Sequence, residues 1–163
     1  LFIITYPGVF LCFVIKMTSF EHTAFYLLYF YAMIVLNDVM AYVFGNLFGK
    51  KANNNHVKVS PNKSMIGFTA GFLFSVICAI AGWYMFPQYL PFSFTLVLIL
   101  GVLIGFGTIM GDLAESAIKR SAHVKDSGSS IPGRGGLLDS VDSVLFCAPI
   151  YFYFMHAVIE NVI

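Results

Sequence analysis

Apolar residues along this chain come in blocks rather than in alternation. Leu1–Ile15, Thr23–Phe44, Met65–Phe86, Pro91–Gly111 and Val144–Ile159 are dominated by aliphatic and aromatic residues, with polar stretches between them. Met65–Phe86 and Pro91–Gly111 contain no charged residue, and each is long enough for the roughly 20 helical residues that cross a bilayer core. Thr23–Phe44 is interrupted by Asn37 and Asp38, Val144–Ile159 is shorter and carries His156, and Leu1–Ile15 reads as cut short. Isolated strands would leave backbone groups unpaired in lipid, so only helices fit. The pattern predicts an all-α, polytopic membrane helical bundle with about five transmembrane helices.

Glycines recur at four-residue spacing as Gly67/Gly71, Gly101/Gly105 and Gly107/Gly111. In apolar surroundings this predicts close helix packing rather than a phosphate cradle. The segment KKANNNHVKVSPNKS is polar and turn-rich, and is expected to be a mobile loop. Trp83, Tyr84 and Tyr89 cluster at the other end of the spans, as an interfacial aromatic belt would.

Composition sharpens the membrane reading. Of 163 residues, 59% are hydrophobic and only 10% charged, against about 25% charged in a soluble domain. The net charge of +1 gives no basis for a nucleic-acid partner. Cys12, Cys78 and Cys147 lie in apolar segments without CxxC spacing, so small buried hydrophobes are expected rather than disulfides or metal ligands. The chain begins at a Leu inside an apolar run, with no basic leader or cleavage site. It therefore reads as a single membrane-embedded region, residues 1–163, from the C-terminal part of a longer polypeptide.

Basic residues fix an orientation. Lys50, Lys51, Lys58 and Lys63 follow the second segment, and Lys119, Arg120, Lys125 and Arg134 follow the fourth; only Lys16 falls elsewhere. Two crossings separate these loops, so they share a face, which the positive-inside rule makes cytoplasmic. A bacterial inner membrane is the expected location.

The candidate chemistry lies on that face. Asp38 stands at membrane depth, where a carboxylate needs a polar cavity or a cationic partner. Ser60, Asn62 and Lys63, around Pro61, offer donors suited to phosphate oxygens. On a helix, Asp112, Glu115, Ser116 and Lys119 fall along one stripe, which would present carboxylates and an ammonium to one cavity; a solvated helix end has the same spacing. Lys125 and Asp126 lead to Gly133-Arg134-Gly135-Gly136, a turn that either holds an anion or simply connects helices. Asp139 and Asp142 stand three apart before the last apolar segment, as a carboxylate pair for Mg²⁺ or as acids favoured at a helix N-terminus. With Asp112 and the cations on the same face, a metal-assisted phosphate site explains the set better.

From Asn37 to about Pro149 the chain resembles the CDP-diacylglycerol synthases, or phosphatidate cytidylyltransferases. The resemblance is carried by Asp38 with AYVFGNLFGKK, by VSPNKS, and by the long block GDLAESAIKRSAHVKDSGSSIPGRGGLLDSVDS. Arg134 stands where the family usually has His, so no acid–base role carries over to it; Ser140 stands where it usually has Arg. The resemblance implies transfer of CMP from CTP to phosphatidate, in a chain with further N-terminal helices and, at family level, as a homodimer. It implies Mg²⁺ on Asp112, Asp139 and Asp142, with a second cation such as K⁺. Asp112, Lys119, Asp139 and Asp142 would be catalytic. Asp38, Ser60, Asn62, Lys63, Arg120, Lys125, Asp126 and Arg134 would bind substrate. The competing readings are a CTP-using enzyme acting on a polyprenol or ether lipid, and a non-catalytic membrane subunit or transporter.

Overall fold

Serines start two of the long helices. Ser64 Oγ accepts from Gly67 N at 3.1 Å and Ser93 Oγ from Leu96 N at 3.4 Å, each satisfying an otherwise orphaned first-turn amide. In the computed structural model the helices are α1 (Phe2–Lys16), α2 (Thr23–Phe48), α3 (Met65–Met85), α4 (Phe94–Ser121) and α5 (Leu138–Val162), with a 3₁₀ turn at Met17–Ser19. The structure describes residues 2–49, 56–57, 60–124, 127–128, 136 and 138–162, with side chains for 8–49, 64–124, 127–128, 136 and 141–160.

Five helices match the five apolar blocks, but their ends differ from the blocks. Four are long and apolar enough to span a bilayer, and the chain is a multi-pass membrane protein; α1, at 15 residues, falls below that length. α4 runs ten residues past the apolar block and α5 starts six residues before its block. Apolarity marks contact with lipid, whereas a helix continues as long as its backbone bonds do. The expected mobile loop holds an antiparallel pair, β1 (His56–Val57) with β2 (Ser60–Ser64). Val57 pairs with Ser60 and His56 with Ser64, so residues 61–63 bulge out, which suits Pro61 because it has no N–H to give a ladder.

The glycines set how closely the helices approach. A Cβ on Gly67 would come within 2.6 Å of Ala41 O, and one on Gly71 within 2.7 Å of Asn37 O, so α3 packs antiparallel on α2 almost backbone to backbone. On α4, Gly101 and Gly105 meet Val76, Ala79 and Phe72 of α3. One turn further, Gly107 and Gly111 meet Cys147, Phe146 and Ser143 of α5. All three glycine pairs thus pack helices as expected. α4 is central: 44% of its span is buried, and 50% of that of α5, against 28% for α2 and for α3. Leu28, Val35, Leu73, Ile77, Phe106 and Tyr153 point outward, an arrangement stable in lipid and costly in water.

Buried tyrosines tie the bundle together. Tyr151 donates to Tyr26 O at 3.0 Å across α5 and α2, and Tyr29 donates to Ala79 O at 2.7 Å across α2 and α3. At the end away from the basic loops, Tyr89 stacks on Phe25 at 4.6 Å and Trp83 donates to Phe92 O at 2.9 Å, which agrees with an aromatic belt. With the core concentrated there, the other end is left to polar groups.

Candidate active site

Four helices leave a cavity of about 470 Å³ between the C-terminal halves of α2 and α4 and the N-terminal parts of α3 and α5. α2 supplies Asn37, Asp38, Tyr42 and Asn46, and Asp38, Tyr42 and Asn46 follow at the four-residue spacing that keeps side chains on one helix face. Ser64, Gly67 and Phe68 enter from the start of α3, Thr108 and Asp112 from α4, and Asp142 and Ser143 from α5. Polar side chains at membrane depth are therefore gathered against one space.

The floor is held by hydrogen bonds to backbone. Asn37, 2% exposed, donates from Nδ2 to Gly105 O at 3.4 Å, and its Oδ1 lies 2.7 Å from where a Cβ on Gly71 would stand. Thr108 Oγ1 donates to Ile104 O at 2.8 Å, and Ser143 Oγ makes a long contact of 3.5 Å to Thr108 O. Cys147 lies beneath them, 3.7 Å from Thr108 Oγ1. It is a buried free thiol, as its position predicted, and Cys12 and Cys78 are free as well; burial is not general, however, because Cys78 is half-buried and Cys12 is exposed on α1.

Above the floor, one carboxylate oxygen each from Asp112, Glu115 and Asp142 lies within 4.8 Å of the others. Glu115 is 3% exposed and Asp142 8%. Two ionised carboxylates at that separation repel by roughly 3.5 kcal/mol at an effective dielectric of about 20, so the arrangement strongly favours a cation among them. Lys119 Nζ lies 2.6 Å from Glu115 Oε2, an i,i+4 pair on α4. Three carboxylates and one ammonium leave two negative charges, matching a divalent ion. Asp112 and Asp142 line the cavity with Glu115 buried beside them; hard carboxylate oxygens are the ligand type that oxygen-seeking cations take, and the set fits a bound metal.

The structure brings Asp112 and Asp142 together, as the sequence predicted, and puts Asp38 on the same cavity. Lys119 joins them through Glu115. Arg120 is exposed at the end of α4, outside the cavity lining. Ser60, Asn62 and Lys63 fall in β2, which leads into the cavity-lining Ser64, but their side chains lie outside the described part. Asp139 falls in the first turn of α5, and its side chain also lies outside it. Lys125, Asp126 and Arg134 lie outside the described residues. Gly136 is buried against Ser127 and Gly128, where a side chain would clash.

The sequence pattern places Glu115 on the stripe with Asp112 without marking it as a ligand. Its three-residue offset was the available signal, and only the fold shows that it is buried. Thr108 and Ser143 gave no signal of their own beyond lying one helical turn or one residue from an aspartate.

Residues 1–158 match the profile described as the cytidylyltransferase family. The chain is 40% identical over 126 residues to a phosphatidate cytidylyltransferase of Synechocystis sp., covering 77% of this chain and 41% of that protein. It is 40% identical over 128 residues to a phosphatidate cytidylyltransferase of Staphylococcus aureus, covering 77% and 46%. It is 37% identical over 138 residues to the uncharacterized protein YnbB of Escherichia coli, covering 85% and 45%. The chain thus spans less than half the length of these curated relatives. A profile match across nearly all of its length places it in a group: the chain belongs to the cytidylyltransferase family.

Proposed function

We propose that this chain carries the catalytic site of an enzyme that transfers CMP from CTP to phosphatidate, giving CDP-diacylglycerol and pyrophosphate. The observation that carries the reading is the convergence of Asp112, Glu115 and Asp142 beside a polar cavity set among lipid-facing helices. The relatives named phosphatidate cytidylyltransferase support the substrate pair.

In the reaction a phosphate oxygen of the lipid attacks the α-phosphorus of CTP. A new P–O bond forms, the bond to the β-phosphate oxygen breaks, and pyrophosphate leaves with the electron pair. The attacking phosphate is already ionised near neutral pH, so the step needs no strong base. What it needs is relief of the repulsion between two polyanions and support for charge on the leaving group. Asp112, Glu115 and Asp142, with Asp139 one turn before Asp142 on α5, would hold Mg²⁺, with a second cation such as K⁺, which would supply that charge relief. Lys119, in the last turn of α4 and paired with Glu115, would meet phosphate, and the basic residues Lys63, Arg120, Lys125 and Arg134 of the two loops and the α4 end would add positive charge for the substrate's anionic groups. Asn37, Thr108 and Ser143 hold the cavity floor so that the acids keep their spacing. The two basic loops favour a cytoplasmic mouth in a bacterial inner membrane, where CTP arrives from solution and phosphatidate from the bilayer.

The test is CTP-dependent pyrophosphate release by the intact protein in detergent, with phosphatidate, with a polyprenol, and with neither. Release that requires phosphatidate is expected, and chelation of divalent metal should abolish it. Asp142→Asn should lower turnover about a hundred- to a thousandfold, the order lost when a key electrostatic group is removed. Near-normal turnover by that variant would refute the role given to Asp142, and release driven only by polyprenol would refute the substrate.

A further inference from the structure

Lys119 is held in a way that phosphate binding alone does not explain. Its ammonium lies 2.6 Å from Glu115 Oε2, with only 18% of the Lys119 side chain and 4% of that of Glu115 exposed. The same Glu115 offers an oxygen within 4.8 Å of Asp112 and Asp142. One carboxylate therefore serves both the ammonium on its own helix and the position that a metal would share. A lysine ammonium is a compact point charge, able to stand in electrostatically for part of a metal ion's charge. Three clustered acids, Glu115 and Asp142 buried and Asp112 half-buried, in a bundle among lipid-facing helices also need counter-charge at all times, including between metal-loading events.

We propose that Lys119 is a built-in counter-ion that competes with the metal for Glu115. Metal binding draws Glu115 away from the ammonium and releases Lys119 to the incoming phosphate. Glu115 is a positioning residue in this scheme, because it sets where Lys119 points according to whether the metal is present. The inference rests on reading the acidic cluster as a metal centre. It adds a coupling: the cation that binds the acids also sets the state of the group that meets the substrate. Loading in the reverse order, phosphate before metal, would find Lys119 still engaged.

Titration calorimetry of Mn²⁺ into the intact protein in detergent, without substrate, tests the competition. Lys119→Met is expected to bind Mn²⁺ about tenfold more tightly than wild type, the order expected for removing a unit charge beside a divalent ion even under near-aqueous screening. Lys119→Arg keeps the charge and is expected to stay within about twofold of wild type. Metal-free Lys119→Met leaves Glu115 without its ammonium, so saturating Mn²⁺ should raise its melting temperature more than it raises that of wild type. Lys119→Gln serves as a second neutral variant should Lys119→Met fail to fold. Unchanged or weaker binding by the neutral variants, with wild-type binding intact, overturns the competition. Absence of saturable binding by wild type overturns the metal centre itself.

Discussion

A methyl group added at Gly111 has no room. Its position would lie 2.8 Å from Phe146 Cβ, 3.2 Å from Ser143 Cα and 3.3 Å from Asp142 O, all on α5. The first distance is about 0.7 Å inside the roughly 3.5 Å at which two carbons pack without repulsion. Two of the three obstacles are main-chain atoms and the third is a Cβ, so no side chain can rotate away and the helices themselves must part. Overpacking of this kind costs about 1–3 kcal/mol, and the better helix propensity of Ala returns about 1 kcal/mol of it. Gly111→Ala should therefore lower stability by no more than about 2 kcal/mol. Function should suffer far more. Asp112 is the next residue and Asp142 lies directly across the seam, so a shift of about 0.7 Å exceeds the roughly 0.5 Å tolerance of a preorganised site. Turnover is expected to fall about ten- to a hundredfold, with weaker metal binding alongside. Gly107→Ala is the control: its Cβ would meet Cys147 Sγ at 2.9 Å and Ile150 Cδ1 at 3.3 Å, side-chain atoms one turn from the acids. Thermal melts, Mn²⁺ titration and pyrophosphate release on both variants separate the two effects. Gly111→Ala with wild-type metal affinity and turnover, or equal functional loss in Gly107→Ala, would refute the reasoning.

Two further substitutions test the frame around the site. His123 closes α4 with φ of 56°, while Val124 N bonds back to Lys119 O at 3.0 Å, so a non-glycine residue takes the left-handed position at the helix end. His123→Gly is expected to raise stability by about 1 kcal/mol in a thermal melt, and a loss would show that the His side chain contributes more than its backbone costs. Tyr151→Phe removes the bond to Tyr26 O that joins α5 to α2. That carbonyl sits inside α2 and keeps its helical position, so the cost should be only about 0.5–1.5 kcal/mol, read by denaturant titration in detergent micelles; a loss above about 3 kcal/mol would mean that the hydroxyl organises more than one contact.

Much of the architecture could be read in the chain because lipid imposes a simple rule on it. Runs without charge had to be helices, and glycine pairs within them had to be places of close approach; both follow from the absence of water to satisfy a bare backbone. Helix ends were harder. GDLAESAIKRS continues α4 although it is polar, because its side chains face a cavity and the bundle end rather than lipid, and hydropathy does not distinguish these. The strand pairing at residues 56–57 and 60–64 has no alternating pattern to announce it. At the site, Asp112 and Asp142 could be anticipated from residue type and spacing, as could Asp38. Glu115 could not be promoted to a ligand from sequence, since an acid three residues along a helix is equally a solvated end group. Its burial, beside an aspartate of α5, is a tertiary fact that no local pattern encodes.

α4 is gripped from two flanks by glycine contacts, at Gly101 and Gly105 by α3 and at Gly107 and Gly111 by α5. The consequence is mechanical. Helices joined so closely resist sliding past one another, so a host membrane that grows thicker or thinner will tilt α3, α4 and α5 as a single slab. Acid spacing is then insulated from the acyl-chain length of the surrounding lipid, and thickness is registered instead by how deep the mouth sits beneath the headgroups.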